Sequence, residues 1–165
     1  MSRAFVNEDE RQEVPFVPPR ADLPRGVTNY VTPVGLEALL KEKEDLLIEL
    51  KNWNEGDEHG KLNAVKVLNI KLQVLEERIV TAQVINHEDQ DKSEVRFGST
   101  VLLQIGKSKK TRQLQIVGVD EANLREGKIA FTSPLGELLM NKKMGERVVL
   151  KLEHGESVFK VLEIK

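Results

Sequence analysis

The sequence predicts an α+β protein in two parts, an N-terminal antiparallel coiled-coil hairpin and a small antiparallel β domain with one short helix. Three observations predict it. Apolar residues recur at spacings of three and four between residues 32 and 82, with one glycine-bounded polar break. From about Glu94 the period falls to near two, in short runs rich in β-branched residues. Four of the six prolines (Pro15, Pro18, Pro19, Pro24) crowd into residues 1–31, setting that stretch apart from both.

Residues 1–31 form a proline-rich N-terminal extension, extended or disordered until something orders it, because proline removes backbone donors and fixes φ. The hairpin occupies 32–87. Thr32-Pro33 reads as an N-cap followed by proline at the first helical position. Leu36, Leu39, Leu46, Leu50 and Trp53 make one heptad stripe, broken at Lys43 and widened by Leu40 and Leu47. After the turn Asn54–Gly60 the stripe resumes as Val65, Leu68, Leu72, Leu75, Ile79 and Ala82. Helices of about 20 and 25 residues joined by so short a turn fold back on each other as a thin arm about 30–35 Å long. Val67, Ile70 and Val74 lie off the seam, which marks a contact surface for the extension, the β domain, or a second copy of the chain.

The C-terminal domain spans 94–165. Runs at 95–105, 113–119, 128–132, 147–152 and 158–164 read as strands, with glycines between them. Ser133 caps and Pro134 opens a short helix before the fourth strand. A strongly bent sheet of about five antiparallel strands with one helix on it is the expected result.

Composition narrows the function. Charged residues make up 32% of the chain, aromatics 4%, and the formal net charge is −2, which argues against a duplex-DNA binder. Without cysteine there is no disulfide, thiol chemistry or thiolate metal site. No apolar run approaches a membrane span and the N-terminus turns acidic, so a cytoplasmic protein is expected. His59, His87 and His154 are scattered without ligand spacing, and neither a phosphate loop nor a nucleophile elbow is present. Lys107–Arg112 is a basic turn, read either as a solvated hairpin or as a contact for nucleic-acid phosphate.

Several motifs then fall in one order. Phe97-Gly98-Ser99-Thr100-Val101, Ile116-Val117-Gly118-Val119-Asp120-Glu121-Ala122, Ser133-Pro134-Leu135-Gly136 and Lys142-Lys143-Met144-Gly145-Glu146 resemble the C-terminal domain of the Gre family of bacterial transcript-cleavage factors. Thr32–Leu39 and Ala82–Ile85 resemble the two ends of that family's hairpin. The resemblance covers residues 32–165 and implies an FK506-binding-protein-like β domain carrying a coiled-coil arm. It implies binding to RNA polymerase at the secondary channel, through the acidic loop Asp120, Glu121, Ala122 and the helix start Ser133, Pro134, Leu135, Gly136. It also implies indirect contact with RNA or DNA in the elongation complex, regulation of elongation and pausing, no enzymatic activity of the chain's own, and no cofactor beyond a share in the polymerase's Mg²⁺.

The family tip, Gly-Asp-x-x-Glu-Asn-Ala, is degenerate in this sequence. Aligned on Gly56-Asp57, Gly60 falls where the glutamate belongs; aligned on Asn63-Ala64, Leu62 does. Glu55, Asp57 and Glu58 are the substitute carboxylates for a metal-binding tip; the alternative is a solvated turn. The arm is also shorter than the family's by roughly two helical turns per helix, so a regulator that does not stimulate cleavage is expected. Two rival readings remain. One is a coiled-coil adaptor, oligomerising as a dimer through Val67, Ile70 and Val74 where the first reading expects a monomer. The other is a prolyl isomerase, for which the domain offers only Phe97, Phe131 and Phe159 as pocket aromatics.

Overall fold

Thr32 opens the arm as its sequence dictates. In the computed structural model, which describes residues 14–55 and 60–165, its hydroxyl accepts the Gly35 backbone N–H at 2.9 Å. That bond satisfies one of the donors a helix start leaves without a partner. Helix α1 runs Pro33–Glu55 and helix α2, Lys61–Thr81, returns beside it. Gly60 precedes α2 at φ 74°, a left-handed conformation that favours glycine.

Leu39, Leu68, Leu72 and Leu75 are buried in the seam, and Leu36, Leu46, Leu50, Trp53, Val65 and Ile79 are half-buried. Lys43, the break in the stripe, reaches across to Glu76 at 3.1 Å. Leu40 and Leu47 do not widen the seam. Each follows a seam position, which rotates it about 100° around the helix, and both stand exposed with Ile48 on α1. Leu39 and Leu75 close together with Val31 at the arm's base. Full burial of such a side chain contributes about 1.5–3 kcal/mol, so cohesion is concentrated there.

The base holds a feature with no sequence signal. Tyr30–Val31 (β1) pairs in parallel with Gln83–Val84 (β2), a two-residue ladder that ties the two ends of the hairpin. Ahead of it, Val17–Leu23 of the extension and Leu46, Ile70 and Val74 of the arm frame one groove of about 490 Å³. The Arg78 guanidinium donates to the Ala21 carbonyl. Ile70 and Val74 therefore face the proline-rich segment of their own chain, the first of the contacts expected for the off-seam stripe.

Five strands form the second sheet: β3 (Thr100–Ile105), β4 (Thr111–Val117), β5 (Lys128–Ala130), β6 (Arg147–Leu152) and β7 (Gly155–Ile164). Their order is β5-β4-β3-β7-β6. The expectation of a wholly antiparallel sheet needs one correction, since β5 runs parallel to β4. The connection between them carries the chain back through a turn at Leu124–Glu126, closed by Gly127 at φ 69°. Helix α3 (Pro134–Leu139) is capped by the Ser133 hydroxyl, which accepts the Gly136 N–H at 3.1 Å. It packs against β5 and β6, the two edge strands of the sheet. Val95, Val101, Leu103, Ile116, Leu139 and Val161 fill the core beneath it with essentially no solvent exposure.

Candidate partner-docking site

The acidic loop lies where the β domain meets the arm. Gly118 passes so close to β1 that a Cβ there would sit 2.6 Å from the Tyr30 carbonyl oxygen. The Asp120 side chain, only 7% exposed, accepts a hydrogen bond from Arg20 Nε at 3.0 Å. Arg78 Nη1 lies 3.5 Å from its other oxygen. Both of those atoms lack a hydrogen-bond partner, so this second contact is coulombic attraction without directional bonding. Arg20 also grips Glu42 of α1 with two bonds, 2.7 and 3.0 Å long. The hydrogen bond to Glu42, with Asp120 alongside, holds the guanidinium above the ordinary arginine value against the opposing effect of burial.

Glu121 turns inward too, its side chain 8% exposed. Its carboxylate accepts from the Thr32 hydroxyl and pairs with Lys128 at 3.3 Å. It rests over Gly35, where a Cβ would come within 2.6 Å of Glu121 Oε2. Helix α1 has no acidic residue in its first turn, so the β domain supplies the anion that a helix N-terminus favours. Tyr30, Phe97 and Phe131 complete the joint, with ring centroids 5.5–5.8 Å apart. Asp120 and Glu121, read from sequence as outward docking charges, thus serve in this structure as charges of the joint. Their partners, Arg20 and Thr32, are distant in sequence and gave no local signal.

The other members of the predicted set come together elsewhere. Ala122, Ser133, Pro134 and Leu135 line a shallow groove of about 460 Å³ between β5, α3 and β6. Gly136 lies beneath them; a Cβ there would meet the Ala130 carbonyl oxygen at 2.3 Å. Leu124 and Leu152 line the groove while 65% and 55% exposed, and Leu150 lines it with them. Sequence reading missed these three leucines. The alternation Val148-Leu150-Leu152 was visible, but a strand's apolar face gives no sign of where the core stops. No aromatic side chain lines the groove, because Phe97 and Phe131 are committed to the joint. The aromatic-walled pocket of the isomerase reading is therefore not what these residues build.

Of the predicted tip, Glu55 ends α1, while Asp57 and Glu58 lie outside the described residues. Among the described residues no cluster of three or more His, Asp or Glu side chains could hold a metal ion. No described helix is long and apolar enough to cross a membrane.

A helical arm mounted on a curled sheet that keeps an apolar groove of its own defines a two-part protein. Comparison places that class in a family. Residues 90–165 match the model of the GreA/GreB transcription elongation factor C-terminal domain. Transcription elongation factor GreA of Amoebophilus asiaticus is 30% identical over 82% of this chain and 96% of its own length. GreA of Syntrophus aciditrophicus is 33% identical over 81% of this chain and 92% of its own. Among solved structures, GreA factor homolog 1 of Thermus thermophilus aligns over 84% of this chain and 99% of its own, with 22% identity and a TM-score of 0.39. The chain belongs to the GreA/GreB family of transcription elongation factors.

Proposed function

We propose that the β domain docks on RNA polymerase through the Ala122/Ser133–Gly136 groove, and that the arm reaches into the polymerase's secondary channel to regulate elongation and pausing. The observation that carries this reading is the groove itself. An exposed apolar surface lined by Leu124 and Leu152 on a family member is what a protein interface buries at its centre. In this reading the chain does no chemistry of its own. Asp120 and Glu121 act by fixing the angle at which the arm leaves the docked domain. The 23 residues of α1 give a reach of about 34 Å at 1.5 Å per residue, and neither register of the tip motif gives both family carboxylates. Metal coordination demands contact near 2 Å, so the arm occupies the channel without completing a Mg²⁺ site, and RNA cleavage is not stimulated.

The test has two arms. Leu124→Glu/Leu152→Glu leaves the core untouched and is expected to weaken binding to core polymerase at least tenfold; unchanged binding removes the groove from the proposal. Stalled elongation complexes with wild-type protein are expected to keep full-length RNA. Shortened RNA with wild type that disappears with Asp57→Ala/Glu58→Ala would overturn the non-cleaving arm.

A further inference from the structure

The outer face of the β sheet carries a concentration of unpaired positive charge that neither the groove nor the joint uses. In a chain of net charge −2, it has to be explained locally. Lys160 of β7 lies directly opposite Arg147 of β6 on one side and Gln104 of β3 on the other. Residues directly opposite in adjacent strands share a face, so Arg147, Lys160 and Gln104 form one row. The Gln104 side chain donates to the Ser108 carbonyl at 2.9 Å, and the Gly106 N–H bonds the Val158 carbonyl at 2.8 Å. These bonds hold the turn that carries Lys107, Lys109 and Lys110 next to that row.

Among the described residues none of these five cationic side chains is in an ion pair or side-chain hydrogen bond. The acids nearest in sequence are engaged elsewhere: Glu146 accepts from the Lys143 N–H at 2.7 Å, and Glu163 lies 3.8 Å from Lys165. Like charges directly opposed across an antiparallel pair destabilise a sheet, so Arg147 facing Lys160 is unfavourable for folding alone. The patch lies at the end of β3 away from Thr100, which pairs with Lys165 where His87 contacts the domain. It is also on the opposite face of β6 from Leu150 and Leu152, because strand side chains alternate. A ligand there would not compete with the groove.

We propose that this patch binds the phosphate backbone of single-stranded nucleic acid. Two free cations, Arg147 and Lys160, beside an exposed turn with three more are complementary to regularly spaced phosphates, and contacts to phosphate carry no sequence information. The inference does not depend on the polymerase-docking groove and is tested without polymerase.

The probe is a fluorescent 20-nucleotide oligouridine RNA, titrated with full-length protein at several salt concentrations. About five phosphate contacts predict a slope of log K against log salt near −3.5, so affinity falls about 100-fold between 50 and 200 mM. Lys107→Gln/Lys109→Gln/Lys110→Gln is expected to bring the slope to about −1.4 and to weaken binding at 50 mM at least tenfold. Arg147→Gln/Lys160→Gln is expected to weaken binding while raising Tm, an outcome that general unfolding cannot mimic. Absence of binding at 20 mM salt overturns the proposal, as does wild-type affinity in both variants. Equal binding of poly-L-glutamate at matched charge would reassign the patch to acidic protein surfaces and overturn the nucleic-acid reading. Core-polymerase binding by the triple lysine variant is expected to be unchanged, whereas the Leu124/Leu152 variant loses it, so failure of either proposal is seen apart from the other.

Discussion

Replacing Asp120 by asparagine keeps the shape of the joint and removes its central charge. The Arg20 bond at 3.0 Å is charge-assisted, and such bonds contribute about 1.5–3 kcal/mol. The Arg78 contact at 3.5 Å is unaligned and adds less. Arg20 keeps Glu42 and Arg78 keeps the Ala21 carbonyl, so neither cation is stranded. A net loss of about 2–3 kcal/mol follows, which for a chain of 165 residues lowers Tm by about 4–12 °C. Thermal unfolding followed by circular dichroism measures it, with Arg20→Ala and the double variant completing a cycle. Because the two groups act on one bond, the double variant should lose clearly less than the sum of the singles. A change in Tm under about 1 °C, or strict additivity, would refute the joint as a coupled ion pair.

Two further outcomes are expected. Gly136→Ala places a methyl against the Ala130 backbone carbonyl, which cannot swing aside, so a loss of about 1–3 kcal/mol in urea unfolding is expected, together with weakened polymerase binding; wild-type stability would show that α3 can lift from β5. Asp91 is held below the ordinary aspartate range, first by the Ser93 hydroxyl and then by the Ser93 backbone N–H. A depressed carboxyl favours the folded state above its ordinary pKa and loses that contribution as pH falls through the folded value. By NMR titration, Ser93→Ala should raise the Asp91 midpoint only part of the way, because the N–H remains; an unmoved midpoint would assign the depression elsewhere.

What could be read from the sequence follows the range of the interactions involved. The cap at Thr32, the Leu39/Leu68/Leu72/Leu75 seam and the α3 start at Ser133 are set by neighbours within a turn or two, and all three stand where periodicity and capping chemistry put them. The exposure of Leu40 and Leu47 was hidden because leucine in a stripe looks alike on either side of a seam edge. Two-residue strands such as β1 and β2 are too short to show a period of two. The parallel placement of β5 depends on how residues 118–127 route the chain, and strand composition says nothing of direction. Asp120 and Glu121 were the hardest to read. An acidic loop looks the same whether it faces solvent or an arginine from 100 positions earlier. Only tertiary structure distinguishes the two.

The arm acts as a lever on a narrow mount. Its fixity comes from a handful of contacts at one end: a two-residue ladder, Arg20 across Glu42 and Asp120, and Glu121 over the first turn of α1. With a rod about 34 Å long, ten degrees of play at the mount would sweep the far end through about 6 Å. Small changes at Arg20, in a segment that could pass for a dispensable leader, would therefore be magnified into a different aim at the other end of the molecule.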